Sequence, residues 1–494
     1  MDKKSWLISA KRTGALILIS SMVLAGCDSG TSATPTTAPV ATNTAVAAAN
    51  PTDTASTGTG EPTAAATMAA TAEATAGGGT ESGGVKLNKD VSGEIEMWHF
   101  WSSPVRRNAI RRVIGICQAE LPNIKVTEVA KPFGDIWTAN TAAVAAGSGM
   151  PDVIVADRPK LPADAANNIY TDLQDRATKD GITGDTFWPF TWKQTLYKDH
   201  TYGLPFETDV RVLFYNKNAF KDAGLDPEKP PKTWDELMAA ADKLDKKNDD
   251  GTYKQIAFFP IQGNAGPEIW GYTNGVEWVT PDGKPQIDTP QAAETLNWIK
   301  TWVDRYGGWQ NIQTFRAGFQ SPPNDAFMSG KVAMIVDVNG YASQLNFYNP
   351  RYTGTDGKAA RLDWGVSDMP YKTKQASWSG GFSLSMPRGA KNPDAAWEFM
   401  KCASGEKGAA SWSRDTYAMS ANKAAATDPT LMADPAWAFF LKAMDYSTGG
   451  NFLEGYPNWG EQLDQRYEKV WTGEMTAEQA VKEAQQAVLD QIAK

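Results

Sequence analysis

The sequence predicts an α/β fold large enough for two hydrophobic cores. Three observations carry this. Between Glu94 and Val155, strand-length apolar segments alternate with helix-length amphipathic ones, the pattern of an open, largely parallel layer. A second continuous apolar run, Val332-Ala333-Met334-Ile335-Val336, reads as a buried strand much further along. The chain has 494 residues, more than one core organises even after its polar N-terminal part is set aside.

Order is expected from near Lys86. Glu94 to Phe100 alternates as a strand, and a helix follows over roughly Val105–Leu121. Ile124–Val126 is the next strand and Gly134–Ala146 the next helix. That helix stops at Gly147-Ser148-Gly149-Met150-Pro151, a glycine C-cap with a proline just beyond. Val153–Val155 is a continuous apolar strand. Thr233 with Glu236 three residues on marks a helix start, with an apolar stripe through Leu237, Ala240, Ala241 and Leu244. Thr476-Ala477-Glu478-Gln479 opens a last helix that runs to Ile492. There is no short-period repeat.

The first 26 residues read as an export signal: Lys3, Lys4, Lys11 and Arg12, then an apolar run from Ala15 to Leu24 too short to span a bilayer. Leu24-Ala25-Gly26-Cys27 resembles a bacterial lipobox, which implies cleavage before Cys27 and lipidation of its thiol. The alternative is an ordinary secretory signal with an incidental cysteine. Residues 28–84 hold no aromatic residue, Leu, Ile, Lys or Arg, so they bury too little apolar surface to order themselves. They read as a stalk reaching about 40–45 Å.

Loss of the signal moves the formal net charge from −9 to −12, because four basic residues and one acidic residue leave. An acidic chain repels phosphate backbones, so nucleic-acid binding is not expected. Cys117 and Cys402 remain, each on the apolar face of an expected helix. The reading favours two buried free thiols over a disulfide, although the export compartment permits one.

Enzyme signatures fail on spacing. His99 and His200 are the only histidines and neither has a partner at metal-ligand spacing. Ser420-Ala421-Asn422-Lys423 lacks the companion motifs of penicillin-recognising enzymes. Asn248-Asp249-Asp250-Gly251 sits in the wrong frame for a calcium loop. Glu207 and Asp209 are two apart on one strand and point the same way, whereas glycosidase carboxylates flank a bond. No enzyme activity, metal or cofactor is expected.

Tryptophan is abundant, 19 in all. Trp298, Trp302 and Trp397 fall in helical apolar patterns and read as packing. Trp101, Trp270, Trp378 and Trp459 fall in polar or glycine-rich stretches read as loops. Rings there, beside Asp, Glu, Asn and Arg, suit the apolar C–H faces and hydroxyls of a neutral carbohydrate.

Several segments, in order, resemble the extracellular solute-binding proteins of carbohydrate-uptake ABC transporters, the family that includes maltose-binding protein. They are Ile95–Trp101, Gly149–Arg158, Tyr202–Phe206, Val212–Lys217, Ala326–Met334, Ser379–Phe382 and Asn392–Phe399. The resemblance implies two α/β lobes joined by a hinge, with ligand in the cleft between them. It places residues 88–209 and 379–425 in the first lobe, and 210–378 and 426–494 in the second. Residues 27–87 are then the lipidated cysteine and stalk.

By position, the resemblance implies ligand contacts from Trp101 and Ser102 after the first strand and from Asp157 and Arg158 after the third. Glu207 and Asp209 lie in the first crossing between lobes. Trp270, Tyr341 and Trp459 match aromatic positions of the second lobe. Trp378 and Gly380 lie in a later crossing, where backbone N–H groups can approach ligand. Arg414, with Tyr417, departs from the family's usual turn and bears on specificity. The function implied is capture of a neutral sugar or oligosaccharide by hinge closure and delivery to ABC permease subunits. The protein would be a monomer held outside the bacterial cytoplasmic membrane by its lipid alone. The alternatives are an anionic solute such as glycerol phosphate or a sugar phosphate, met by Arg158, Arg211 and Arg414, and a surface adhesin or scaffolding lipoprotein.

Overall fold

The computed structural model describes residues 86–450, 453, 456 and 458–493. The signal, Cys27 and nearly all of the 27–87 segment lie outside the described residues.

Strand β1 (Gly93–His99) leads into helix α1 (Pro104–Glu120), whose first turn is capped by Ser103. Strand β2 (Ile124–Ala130), helix α2 (Asp135–Ala146) and strand β3 (Val153–Asp157) follow. Gly147 closes α2 in the left-handed conformation, as its sequence position predicts. β1 pairs parallel with both β2 and β3. The expectation of a largely parallel sheet holds for these three strands only. Gly381–Ser385 joins β3 antiparallel, Gly203–Thr208 joins Gly381–Ser385 antiparallel, and Met419–Ser420 closes the edge. The result is a mixed six-stranded sheet.

A second sheet is antiparallel throughout: Met334–Val338, Arg211–Asn216 and Trp364–Ser367. The chain leaves the first sheet at Thr208 and enters the second at Arg211, so Asp209 and Val210 are the crossing. It returns between Trp378 and Gly381. There Ser377–Trp378 pairs parallel with Ser447–Thr448.

Each sheet has its own core. One includes Ile95, Met97, Val113, Phe206, Leu384 and Trp412; the other includes Phe214, Leu237, Phe258, Leu296, Trp302 and Val336. Thr233 caps the Trp234–Leu244 helix by accepting from the Glu236 N–H at 3.2 Å, and Glu236 accepts from the Lys232 N–H at 2.7 Å. Thr476 and Gln479 make a reciprocal capping box on Ala477–Ile492.

Cys117 of α1 and Cys402 of the Pro393–Ser404 helix are disulfide-bonded, with Cα atoms 5.7 Å apart. This corrects the expectation of free thiols. Both cysteines do sit on apolar faces, but those faces pack on each other, and sequence spacing carries no distance between two helices 285 residues apart. Among the described residues, no helix is long and apolar enough to cross a membrane and no group of acidic, His and Cys residues could hold a metal.

Candidate functional site

The carboxyl ends of parallel strands are where open α/β sheets bind ligands. Here β1, β2 and β3 all end on the edge where the chain crosses to the second sheet. Asp157, Arg158, Glu207, Asp209, Trp378 and Gly380 converge at that edge, joined by Arg211, Gln194 and Thr208.

Arg158 is fully buried. Its guanidinium donates to the Glu207 carbonyl at 2.6 Å, Thr208 Oγ1 at 3.1 Å, Gln194 Oε1 at 2.8 Å and the Gly380 carbonyl. A buried cation is tolerated when such acceptors surround it. Arg158 therefore pins both crossing segments to β3 and has no face left for a sugar hydroxyl. This corrects its reading as a ligand contact.

Glu207 is also buried. Its Oε2 accepts from Trp412 Nε1 at 2.5 Å. Trp412 in turn packs on Trp101 and Phe206, with Trp101 and Trp412 centroids 4.3 Å apart. Burial pushes the Glu207 carboxyl up to about 7, against the opposing effect of Arg106. Glu207 and Trp101 thus form the floor beneath the crossing and do not face ligand. His99 belongs to the same floor: Trp101 N–H donates to its Nδ1, its Nε2 meets Glu128 Oε2 at 2.8 Å, and burial lowers its pKa.

Asp209 pairs with Arg211, and its Oδ1 also accepts from the Gly380 N–H at 2.9 Å. The Gly380 carbonyl takes Thr208 Oγ1 at 3.1 Å besides Arg158. The backbone groups expected to approach ligand at Gly380 are therefore spent within the crossing. Gly381 is required next to it. It sits at φ +120°, and a Cβ there would lie 2.3 Å from the Glu207 carbonyl oxygen. Arg211 also donates to Asn264 Oδ1 at 3.0 Å and lies under Trp378, 4.3 Å from the ring centroid.

Asp157 keeps about a fifth of its side chain exposed, and burial pushes its carboxyl up to about 6. Asp209 and Trp378 are likewise only partly covered, and Ser102 is exposed. These four remain able to touch a ligand at the crossing edge.

The other nominated residues are not drawn into this cluster. Trp270 lies in the Pro267–Thr273 helix, not a loop. It is fully buried, donates to the Pro260 carbonyl at 2.7 Å and packs edge-on against Phe258. Tyr341 is buried beneath the second sheet, its hydroxyl 2.9 Å from both Asp325 oxygens. Both are core residues, which corrects their assignment. Trp459 is half-buried against Trp278. Arg414 is surface-exposed and paired with Asp428 at 3.0 Å.

Sequence reasoning missed a run of rings on the same edge. Phe100 follows β1, Phe133 follows β2, Trp137 opens α2 and Phe382 opens the strand beside Asp157. Phe100 lies 4.6 Å from Phe382 and 5.1 Å from Phe133, and Trp137 lies parallel to Phe382 at 6.3 Å. Phe133 is 66% exposed, in a Lys131-Pro132-Phe133-Gly134 loop. That loop was the available signal: a large ring between proline and glycine straight after a strand. A separate cavity of about 1060 Å³ lies at the opposite, amino-terminal edge of the strands, between residues 86–91 and Lys401. Its buried Lys401 is already paired with Asp180 and Glu398.

Residues 114–439 match the model of a family described as bacterial extracellular solute-binding protein. The chain belongs to that family. Among curated relatives of this solute-binding protein is the sn-glycerol-3-phosphate-binding periplasmic protein UgpB of Escherichia coli (strain K12), 26% identical over 305 residues. That match takes in 57% of this chain, and the chain spans about 65% of the length of the relative. Among solved structures, CpMnBP1 with mannotriose bound is 29% identical with a TM-score of 0.70, covering 80% of this chain and 99% of that one. Maltose-bound MalE3 of T. maritima, 19% identical with a TM-score of 0.66, covers 80% and 99% and shares the fold. The fold is the two-lobed one of these binding proteins, with a hinge and an inter-lobe cleft.

Proposed function

We propose that this solute-binding protein captures a neutral sugar or oligosaccharide between its lobes and delivers it to the permease of an ABC importer. Further parts of the reading are that it acts as a monomer, tethered outside the cytoplasmic membrane through Cys27 and the 28–84 stalk. The contacts proposed at the hinge are Ser102, Asp157, Asp209 and Trp378.

The observation that carries the reading is how charge is disposed around the crossing. The three arginines nominated for an anionic ligand are each engaged elsewhere: Arg158 in the crossing, Arg211 with Asp209 and Asn264, Arg414 with Asp428. What the edge offers is partly exposed carboxylates and aromatic rings. Carboxylates accept from hydroxyls and repel phosphate, while rings stack on sugar C–H faces. The mannotriose complex among the structural relatives supports the same class of ligand. A second reading, an anionic solute, is favoured by the glycerol-3-phosphate-binding relatives, but it requires one of these arginines to leave its partners.

A ligand that binds only the folded state raises stability by about 2.7 kcal/mol at a hundredfold excess over Kd. The test is a thermal-shift screen with glucose, mannose, their di- and trisaccharides, glycerol 3-phosphate and glucose 6-phosphate. A shift from a neutral saccharide, little changed by salt, is expected. A shift from phosphorylated solutes alone, lost as salt rises, would reverse the assignment.

A further inference from the structure

His99 is one of two histidines in the chain, and it is fully buried, whereas His200 is exposed. It ends β1, directly before the connection that carries Ser102 and whose Ser103 caps α1. Both ring nitrogens are engaged. Nδ1 accepts the Trp101 backbone N–H at 3.2 Å, and Nε2 lies 2.8 Å from Glu128 Oε2 on β2. An acceptor at Nδ1 places the proton on Nε2, which then donates to the carboxylate. The neutral ring is therefore the form that fits both partners. The Trp101 indole stacks on the imidazole, with centroids 5.6 Å apart, and packs in turn on Phe206 and Trp412.

The surroundings keep the ring neutral. Glu128 is the carboxylate it meets, and Arg107 and Arg111 of α1 take the other oxygen of that carboxylate at 3.3 and 2.9 Å. Burial first, then the two arginines, outweigh Glu128 and lower the His99 pKa from the ordinary 6.5. A second proton on the ring turns Nδ1 from an acceptor into a donor aimed at the Trp101 N–H. One of the two must then move. β1 is held between β2 and β3, so the segment able to shift is the connection after it.

Resting on the contact proposed between Ser102 and the ligand, we infer that His99 is a positioning residue for binding: its neutral Nδ1 holds the Trp101–Ser103 connection in the form that meets ligand, and acid releases it. Affinity is then fully present with the ring neutral and is lost as pH falls through the His99 pKa. By linkage, bound solute must lower that pKa further.

The experiment is isothermal titration of the full protein and its His99→Asn and His99→Leu variants at pH 7.5 and pH 5. The titrant is whichever of glucose, mannose, their di- and trisaccharides, glycerol 3-phosphate or glucose 6-phosphate gives the largest melting shift. Asn puts an oxygen acceptor where Nδ1 stands and does not titrate; Leu offers no acceptor. Between the two pH values the unaltered protein should lose about fivefold more affinity than His99→Asn, whose remaining pH dependence comes from Asp157 and Glu207 at the crossing. His99→Leu should bind more weakly than His99→Asn at both. Equal losses in the unaltered and Asn proteins would overturn the inference. Nitrogen-15 spectra of the unaltered protein need no variant: His99 should appear as the Nε2–H tautomer, and saturation with the same solute should move its titration to lower pH. A His99 titration unmoved by saturation would also overturn the inference, while leaving the sugar reading standing. A phosphate ester that binds with the His99 linkage intact would overturn the sugar reading alone. Binding of none of these solutes would overturn both.

Discussion

Arg158 and Glu207 show what a sequence conceals at the scale of one residue. The Asp157-Arg158 pair and the Glu207–Asp209 segment meet at the crossing. Their roles were not legible, because the groups that satisfy them come from distant segments: Gly380 is 222 residues from Arg158 and Trp412 is 205 from Glu207. Glu207 carries a pH signature. It keeps its proton to about pH 7 in the folded protein, against an ordinary 4.5, with Trp412, Arg106, Arg158 and Asp209 around it. The unfolded chain releases that proton first, so Glu207 lowers stability as pH rises from about 4.5 through 7. Urea unfolding at pH 5 and pH 8 should therefore show Glu207→Gln losing less stability between the two than the unaltered protein, by on the order of 2 kcal/mol. Identical losses would mean that the folded carboxyl titrates normally. The tryptophans divide in the same way. Trp270→Ala opens a core cavity and should cost about 3–5 kcal/mol. Trp378→Ala removes a half-buried ring from over Arg211, so it should cost far less stability and weaken sugar binding more, by paired melting and titration. The reverse order would exchange their roles.

At the scale of elements, the periodic segments were legible and the pairings between distant ones were not. β1 through β3, α1, α2 and the capped helices at Thr233 and Thr476 stand where apolar period, caps and glycine stops put them. The antiparallel strands Gly203–Thr208 and Gly381–Ser385 became members of the first sheet only through tertiary pairing, which made a parallel expectation into a mixed sheet. Two-residue strands such as Ser377–Trp378 and Ser447–Thr448 have no period to read. The disulfide follows the same logic. It clamps α1 to the Pro393–Ser404 helix and closes a loop across most of the folded chain, restricting the unfolded state. Replacing Cys117 and Cys402 by serine should lower unfolding free energy by about 2–5 kcal/mol. Free, alkylatable thiols at both positions in the oxidised protein, with no stability change on substitution, would contradict the bond.

At the scale of the molecule, the two sheets have separate cores, and the crossing between them is tied to β3 by Arg158 and to Asn264 by Arg211. Sequence length and motif order conveyed this architecture, and the family comparison agrees with it. The crossing edge was half legible: its charged residues and tryptophans stood out, while the rings of Phe100, Phe133 and Phe382 were hidden among ordinary phenylalanines. The central claim is that a sugar bridging the lobes favours a closed form, because only closure brings both sets of contacts to it. Small-angle scattering of the protein, alone and saturated with the saccharide giving the largest melting shift, tests it most directly. A smaller radius of gyration with saccharide bound is the predicted result; an unchanged radius at proven saturation would contradict the account.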